Sequence, residues 1–205
     1  ASALGMRQIK MVKSEVPLSR DRAERELVGF IESNLGKRVV GKIQNKEQVM
    51  DWWGELCRQC GSVLFEKSPH HLCQRACLSL IVECIQRIDD VEFMLVGLVR
   101  NPMDTLYSQF RRFGADPEKV ERQWVRAYEN LIWLKEVLGE KVIVVRYEDM
   151  IEDVRHLDAV LRFCGVSVED VEGAHILHNK SIQKWRADKA YGHVLSDDAI
   201  KVGLS

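Results

Sequence analysis

Hydrophobic positions along this chain fall into two patterns, helical spacing and short continuous runs. In the segment 18–35, Leu27, Ile31 and Leu35 recur at helical spacing, and Gly36 follows as a helix end. The same spacing predicts further helices at 46–60, 70–88, 103–113, 117–138 and 151–164. Apolar runs predict strands at 39–43, 62–65, 93–99 and 141–146, of which the last two indicate buried strands. The run at 93–99 is apolar throughout, which is typical of a strand buried on both faces.

Strands that alternate with helices indicate an α/β fold, in which an open parallel sheet is joined by crossover helices. The chain contains no internal repeat, low-complexity tract or linker, so we expect a single domain over residues 1–205. Its length is sufficient for one sizeable core. Hydrophobic residues at 46% and charged residues at 30% are ordinary values for a globular domain.

Charge and hydropathy exclude several classes of function. The formal net charge of −1 argues against a general nucleic-acid binder, so any anion site must be local. No apolar run approaches about 20 residues, so we expect no membrane span in this chain. The N-terminal residues also lack the apolar region of a signal peptide.

The cysteines allow two interpretations. Cys57, Cys60, Cys73 and Cys77 have the spacing C-x2-C-x12-C-x3-C, which superficially fits a zinc site. However, the first two end an amphipathic segment and the last two share one face of the next predicted helix, as core cysteines do. We therefore expect no metal. Unpaired cysteines in apolar surroundings favour a reducing compartment, and hence a cytoplasmic location.

The most informative chemistry follows the strand predicted at 93–99. The strand leads into Arg100, then an Asn-Pro turn, then a helix that carries Ser108. Pro102 suits the first turn of a helix, where its missing N–H is not needed. A guanidinium, a hydroxyl and a helix N-terminus at the carboxyl end of a strand together favour a phosphate site. An ordinary βα unit with a solvated arginine remains the alternative.

The carboxyl ends of the predicted strands indicate where a ligand would bind. Lys67, Arg100 and Tyr147 each lie at or just past such an end. In an open parallel sheet, ligands bind beyond the carboxyl ends of the strands. We therefore expect these three side chains to face one crevice.

The segment from Arg100 to Ser108 resembles the 3′-phosphate motif of sulfotransferases that use 3′-phosphoadenosine 5′-phosphosulfate (PAPS). Three further segments resemble that family's motifs in the same order, at 65–72, 142–150 and 181–186. The resemblance to the bacterial-type sulfotransferase domain covers residues 62–186. It implies a three-layer open parallel sheet of the kind found in P-loop NTPases.

The resemblance also implies roles for individual residues. Arg100 would clamp the 3′-phosphate while Ser108 donates a hydrogen bond to it. Tyr147 would contact the adenine, or else be a half-buried aromatic at a strand end. Lys67 would lie near the sulfonate or the acceptor, or else be a surface lysine. The last segment contains Lys184, Trp185 and Arg186. These residues would form a late cap over the nucleotide phosphates, or alternatively a basic loop packed by one Trp.

A general base is harder to choose. Glu66 precedes Lys67, and because side chains alternate along a strand, both face one site only if the strand has ended. His70 and His71 are of the residue type that most often serves as a general base, but they equally suit solvated capping at a helix start. We keep Lys67 as the first catalytic candidate, with Glu66 and His70 behind it.

The chain departs from the family pattern in one respect. Family members carry a Gly-rich, Ser-Gly-Thr-containing loop that cradles the 5′-phosphosulfate, and the sequence contains no such loop. We expect an incomplete fold, cut at both ends, that binds 3′-phosphoadenosine 5′-phosphate (PAP) but transfers no sulfonate.

Two functions follow from the resemblance. One is sulfonate transfer from PAPS to a hydroxyl or amine acceptor, with this chain holding the 3′-phosphate and adenine half of the site. The other is an inactive nucleotide-phosphate-binding or protein-interaction module derived from that fold. A kinase-like relative is disfavoured because the sequence has no G-x-x-x-x-G-K-[ST] motif. The acceptor stays open, since acceptor contacts come from variable loops.

Overall fold

The computed structural model describes residues 19–36, 38, 42–61, 63–68, 70–170 and 182–203. Chain contacts divide it into two compact units. The first unit comprises residues 1–67 and 83–92, and the second comprises residues 68–82 and 93–205. The expectation of a single domain stays a prediction.

The first unit is helical. Helix α1 (Arg20–Leu35) ends at Gly36, whose φ of 63° lies in the left-handed region that glycine adopts without strain. Helix α2 (Lys46–Gln59) begins where the Asn45 side chain accepts a hydrogen bond from the Gln48 N–H at 2.9 Å. The buried residues between these helices are Ile31, Leu35 and Leu56.

Helix α3 (Arg75–Arg87) is shared by the two units, and a 3₁₀ turn (His71–Cys73) precedes it. The second unit continues with strand β1 (Leu95–Val99), helices α4 (Pro102–Phe113) and α5 (Pro117–Leu138), and strand β2 (Val142–Arg146). It then contains helices α6 (Tyr147–Glu152), α7 (Asp158–Phe163) and α8 (Asp197–Gly203). The element order gives a β1–α4–α5–β2 crossover.

Strands β1 and β2 pair in parallel, with Leu95 opposite Val142 and Val99 opposite Arg146. The buried core beside them contains Leu131 from α5. A Cβ on Gly97 would lie 2.5 Å from the Cδ1 of Leu131, so this close packing of strand against helix requires glycine. Parallel pairing places the carboxyl ends of both strands at one edge of the sheet.

Most of the predicted elements are confirmed. The helix at 117–138 has the predicted bounds, and those at 18–35, 46–60 and 103–113 differ by at most two residues at either end. The single helix predicted at 151–164 is wrong, because the chain is extended at Asp153, with φ −148°. There the Asp153 side chain accepts from the Arg155 N–H and starts a 3₁₀ turn (Val154–Leu157) before α7.

Two strand predictions are not met. Val63, Leu64 and Phe65 form no strand, and Phe65 is 75% exposed, whereas Ser62 lies outside the described residues. A short apolar run becomes a strand only where a neighbouring strand completes its hydrogen bonds. The strand predicted at 39–43 lies mainly outside the described residues, and positions 42–43 are irregular.

The prediction that the strand at 93–99 is buried on both faces is wrong. Side chains on one face of the sheet pack against α3 and α5, with Val142 fully buried. On the opposite face, Val96 and Leu98 of β1 are 40% and 55% exposed, whereas Val145 of β2, which pairs with Leu98, is buried. Within the described ranges, therefore, helices cover one face of a two-stranded parallel sheet, and on the other face β1 is exposed. This is compatible with an α/β sulfotransferase fold, and the three-layer arrangement stays a prediction.

No helix among the described residues is both long enough and apolar enough to cross a membrane.

Candidate functional site

Arg100 follows β1 directly, and its backbone is fixed from both sides by Tyr128 of α5. The Arg100 N–H donates to the Tyr128 hydroxyl oxygen at 2.6 Å, and that hydroxyl donates to the Arg100 carbonyl at 2.8 Å. The Tyr128 ring packs on Trp124, with ring centroids 3.8 Å apart. Burial raises the pKa of Tyr128, which keeps its hydroxyl protonated as a donor. The position of Arg100 is therefore set by a half-buried side chain of the crossover.

Helix α4 begins as the sequence predicts. The Asn101 side chain accepts from the Asp104 N–H at 3.4 Å, and the Thr105 hydroxyl donates to the Asn101 carbonyl at 3.1 Å. Pro102 occupies the first turn. The Asn101 N–H donates to the Glu148 carboxylate at 2.9 Å, so the start of α4 is tied to the segment that follows β2.

Arg100 and Tyr147 lie together. The guanidinium carbon of Arg100 is 4.8 Å from the centroid of the Tyr147 ring, which is within the range of a cation–π contact. Tyr147 is the first residue of α6 and directly follows β2. Two residues 47 positions apart meet because the strands before them pair in parallel and in register.

The late segment packs against α4. The N–H of Gln183 donates to the Asp104 carboxylate at 2.6 Å, and a 3₁₀ turn (Lys184–Ala187) follows. Trp185 is half-buried, and the Arg186 guanidinium lies 5.3 Å from its ring centroid. Lys184 is exposed. All three predicted cap residues thus belong to a turn that begins at a hydrogen bond to α4.

Asp104 is 2% exposed and is the buried acid of this neighbourhood. Burial raises the pKa of its carboxyl, while the Gln183 N–H and the charges of Arg100 and Arg186 oppose this rise. Both arginines therefore act on one carboxylate.

Ser108 lies one helical turn beyond Asp104, on the same face of α4. Its side chain is exposed, so its hydroxyl is accessible to a ligand. The motif's arginine, its serine and the late turn therefore all belong to the second unit.

The catalytic candidates are placed differently. Glu66 and Lys67 are exposed, in an irregular part of the first unit. His70 and His71 belong to the second unit at the 3₁₀ turn before α3, and the His70 side chain makes no capping hydrogen bond. The expectation that Lys67 shares a crevice with Arg100 stays a prediction.

Sequence reasoning missed three residues that build this site. Tyr128 belongs to α5, and its spacing from the apolar residues of that helix does not distinguish it from a core residue. Glu148 lies inside the Tyr-Glu-Asp motif, yet its partner is 47 positions earlier. Asp104 had a signal, since an acid four residues before Ser108 shares its helix face.

The six cysteines are free and half-buried. Among the residues with described positions, no cluster of three or more His, Cys, Asp or Glu side chains is placed to hold a metal ion.

A model of the sulfotransferase family matches residues 6–170 of this chain, which is more than half of its length. Comparisons with curated proteins and with solved structures found no match. The matched range includes the Arg100–Ser108 motif and Tyr147, and it ends before the late turn. The chain therefore belongs to the sulfotransferase family.

Proposed function

We propose that this chain transfers a sulfonate group from PAPS to a hydroxyl or amine acceptor, and that its second unit holds the 3′-phosphate and adenine of the donor. Membership of the sulfotransferase family supports a transferase. The observation that carries the proposal is the placement of the Arg100 guanidinium beside the Tyr147 ring at the carboxyl edge of β1 and β2.

The 3′-phosphate is assigned to Arg100 and Ser108. A guanidinium binds a phosphate through two parallel N–H donors, and an exposed hydroxyl adds a third donor. The backbone of Arg100 is already fixed by Tyr128, so binding orders little besides the arginine side chain.

The adenine is assigned to Tyr147. An aromatic ring beside a phosphate-binding arginine suits a nucleotide, because the purine offers a flat apolar face and the phosphate offers charge. The cation–π contact at 4.8 Å keeps ring and guanidinium together before a ligand arrives. Lys184, Trp185 and Arg186 are assigned to a cap over the nucleotide phosphates.

The transfer step needs charge stabilisation on the sulfonate and on the leaving phosphate, together with a base for the acceptor. We assign the first task to Lys67, whose exposed ammonium is a compact positive charge. Glu66 and His70 are the base candidates. The proposed reaction uses PAPS as co-substrate and needs no metal. For the chain we propose a three-layer sheet of the P-loop type.

Calorimetric titration with PAP tests the nucleotide site. Arg100→Ala should weaken binding by about 2–5 kcal/mol, because a charge-assisted clamp is lost. That corresponds to at least about a thirtyfold higher Kd. Arg112→Ala is the matched control, since this arginine is exposed on the last turn of the same helix. Equal affinities of wild type and Arg100→Ala would contradict the assignment.

Incubation with labelled PAPS and a panel of alcohols, phenols and amines tests the transfer itself. Sulfated product identifies the acceptor class. PAP binding without any product would instead favour a nucleotide-phosphate-binding module that has lost catalysis.

A further inference from the structure

Asp104 is a buried carboxylate that the motif itself does not explain. It lies in the first turn of α4, is 2% exposed, and accepts the Gln183 N–H at 2.6 Å. A buried carboxylate is costly unless it is hydrogen-bonded and near positive charge. This hydrogen bond joins two segments that are 79 positions apart. The late segment is therefore attached to α4 at this carboxylate.

Gln183 has an unusual backbone. Its φ of 55° lies in the left-handed region, and it is the one residue other than glycine, among those described, with a positive φ. Its side chain is exposed, so side-chain burial does not select this conformation. Strained backbone persists only where surrounding contacts hold it, and the bond to Asp104 is such a contact.

The 3₁₀ turn (Lys184–Ala187) starts immediately after Gln183. The start of the turn is therefore held where Gln183 is bound. Its end is held where Asp188 accepts from the Tyr107 hydroxyl at 2.9 Å, so that Arg186 lies between two bonds to α4. The charge of Arg186 acts on Asp104, and so does the charge of Arg100. The positive charges of both arginines thus stabilise the ionised form of this one buried carboxylate.

We propose that Asp104 is a positioning residue of the phosphate site: it holds the backbone of Gln183 so that Arg186 stands beside Arg100. The ligand's identity rests on the proposed function, in which the 3′-phosphate lies against Arg100. Two guanidinium groups then meet one phosphate, each with paired N–H donors. The carboxylate is buried, and in this proposal it does not contact the phosphate.

Calorimetry on the whole 205-residue chain tests the effect on the ligand. Asp104→Ala should raise the Kd for PAP about tenfold, but should leave the Kd for adenosine 5′-monophosphate, which lacks the 3′-phosphate, unchanged. Asp104→Asn keeps an acceptor for the Gln183 N–H and should restore PAP binding. Tighter PAP binding by Asp104→Ala, or equal losses for both nucleotides, overturns the proposal.

Two substitutions at Gln183 test the same bond from its donor side. Gln183→Pro removes the N–H and also excludes the positive φ of this position, so it should lower PAP affinity at least as much as Asp104→Ala does, in an exposed turn where folding of the core is not at stake. Gln183→Gly keeps the N–H and suits a positive φ, so it should bind PAP as wild type does. Wild-type affinity of Gln183→Pro contradicts the positioning role.

A double substitution tests whether Asp104 acts through Arg186. In an Arg186→Ala background, Asp104→Ala should weaken PAP binding by less than about twofold further, because coupled residues are not additive. A full tenfold loss in that background would mean that Asp104 acts elsewhere.

Hydrogen exchange without ligand separates this proposal from the proposed function. Asp104→Ala should accelerate exchange of the Gln183 amide at least about tenfold, whereas Asp104→Asn should keep it protected. If wild type does not bind PAP, the proposed function fails, and the exchange result still decides whether Asp104 positions the turn. An unchanged exchange rate of the Gln183 amide in Asp104→Ala overturns the positioning role, whichever ligand the site binds.

Discussion

Tyr128→Phe removes a single oxygen atom from the crossover helix and should disturb the site at Arg100. The Tyr128 hydroxyl accepts from the Arg100 N–H at 2.6 Å and donates to the Arg100 carbonyl at 2.8 Å. Phenylalanine retains the packing on Trp124 but leaves both backbone groups without this partner. The substitution therefore isolates two hydrogen bonds from the hydrophobic contribution of the ring.

The expected cost follows from those two groups. A backbone N–H or C=O that loses its partner away from water costs about 1–3 kcal/mol. Arg100 is half-buried, so water partly replaces the hydroxyl and each group should fall near the lower end of that range. The sum is about 2–3 kcal/mol. For a chain of this length that corresponds to a Tm lowered by roughly 4–12 °C.

Thermal unfolding followed by circular dichroism measures this loss, and Tyr191→Phe is its matched control. Tyr191 is more buried than Tyr128, burial raises its pKa to about 12, and its hydroxyl has no hydrogen-bond partner in the described ranges. Removing that hydroxyl should cost nothing. If Tyr128→Phe and Tyr191→Phe unfold within about 1 °C of each other, the double hydrogen bond does not fix Arg100.

Two further predictions concern titratable groups. Burial of Glu121 by itself raises the pKa of its carboxyl, but hydrogen bonds from Ser196 and His193 outweigh burial and hold the pKa below its ordinary 4.5. The stability from this carboxylate is therefore complete above about pH 5 and lost as the pH falls through the folded pKa. Glu121→Gln should flatten the acid side of a Tm–pH profile, whereas the exposed Glu118→Gln should not; parallel profiles would contradict this. Burial and two nearby thiols raise the pKa of Cys57 to about 11 from 9.0. Alkylation of the folded protein at pH 8, followed by mass spectrometry, should therefore modify Cys57 about a hundredfold more slowly than alkylation in urea. Equal rates in the two conditions would refute this prediction.

The hydrophobic pattern predicted those helices and strands whose formation depends on local packing. The helix at 117–138 was predicted to the residue, because its apolar stripe, its Pro at the first turn and its following Gly139 agree. The strands at 93–99 and 141–146 were found for a similar reason, since both runs are bounded by polar residues. The residues at 63–65 have the same composition but pair with neither strand of the described sheet, and composition alone does not reveal that difference.

The contact between Arg100 and Tyr147 could be predicted from the positions of the strands. Arg100 and Tyr147 follow strands directly, so a parallel sheet brings them together without further information. Tyr128 and Asp104 act through hydrogen bonds to the backbone of residues 28 and 79 positions away. No local periodicity encodes such a bond, because its donor or acceptor is a peptide group that every residue has.

These two long-range bonds also explain how a small sheet can hold the residues of the proposed anion site in a fixed arrangement. The hydrophobic core beside β1 and β2 is tolerant, since apolar residues of similar volume replace one another at modest cost. A buried hydroxyl or carboxylate does not tolerate a change of position in the same way, because any arrangement that leaves it without a hydrogen-bond partner carries its full desolvation cost. Tyr128 and Asp104 therefore select one position each for Arg100 and for the turn at Gln183. Phosphate affinity should consequently respond more sharply to the loss of either polar group than to truncation of a neighbouring core side chain.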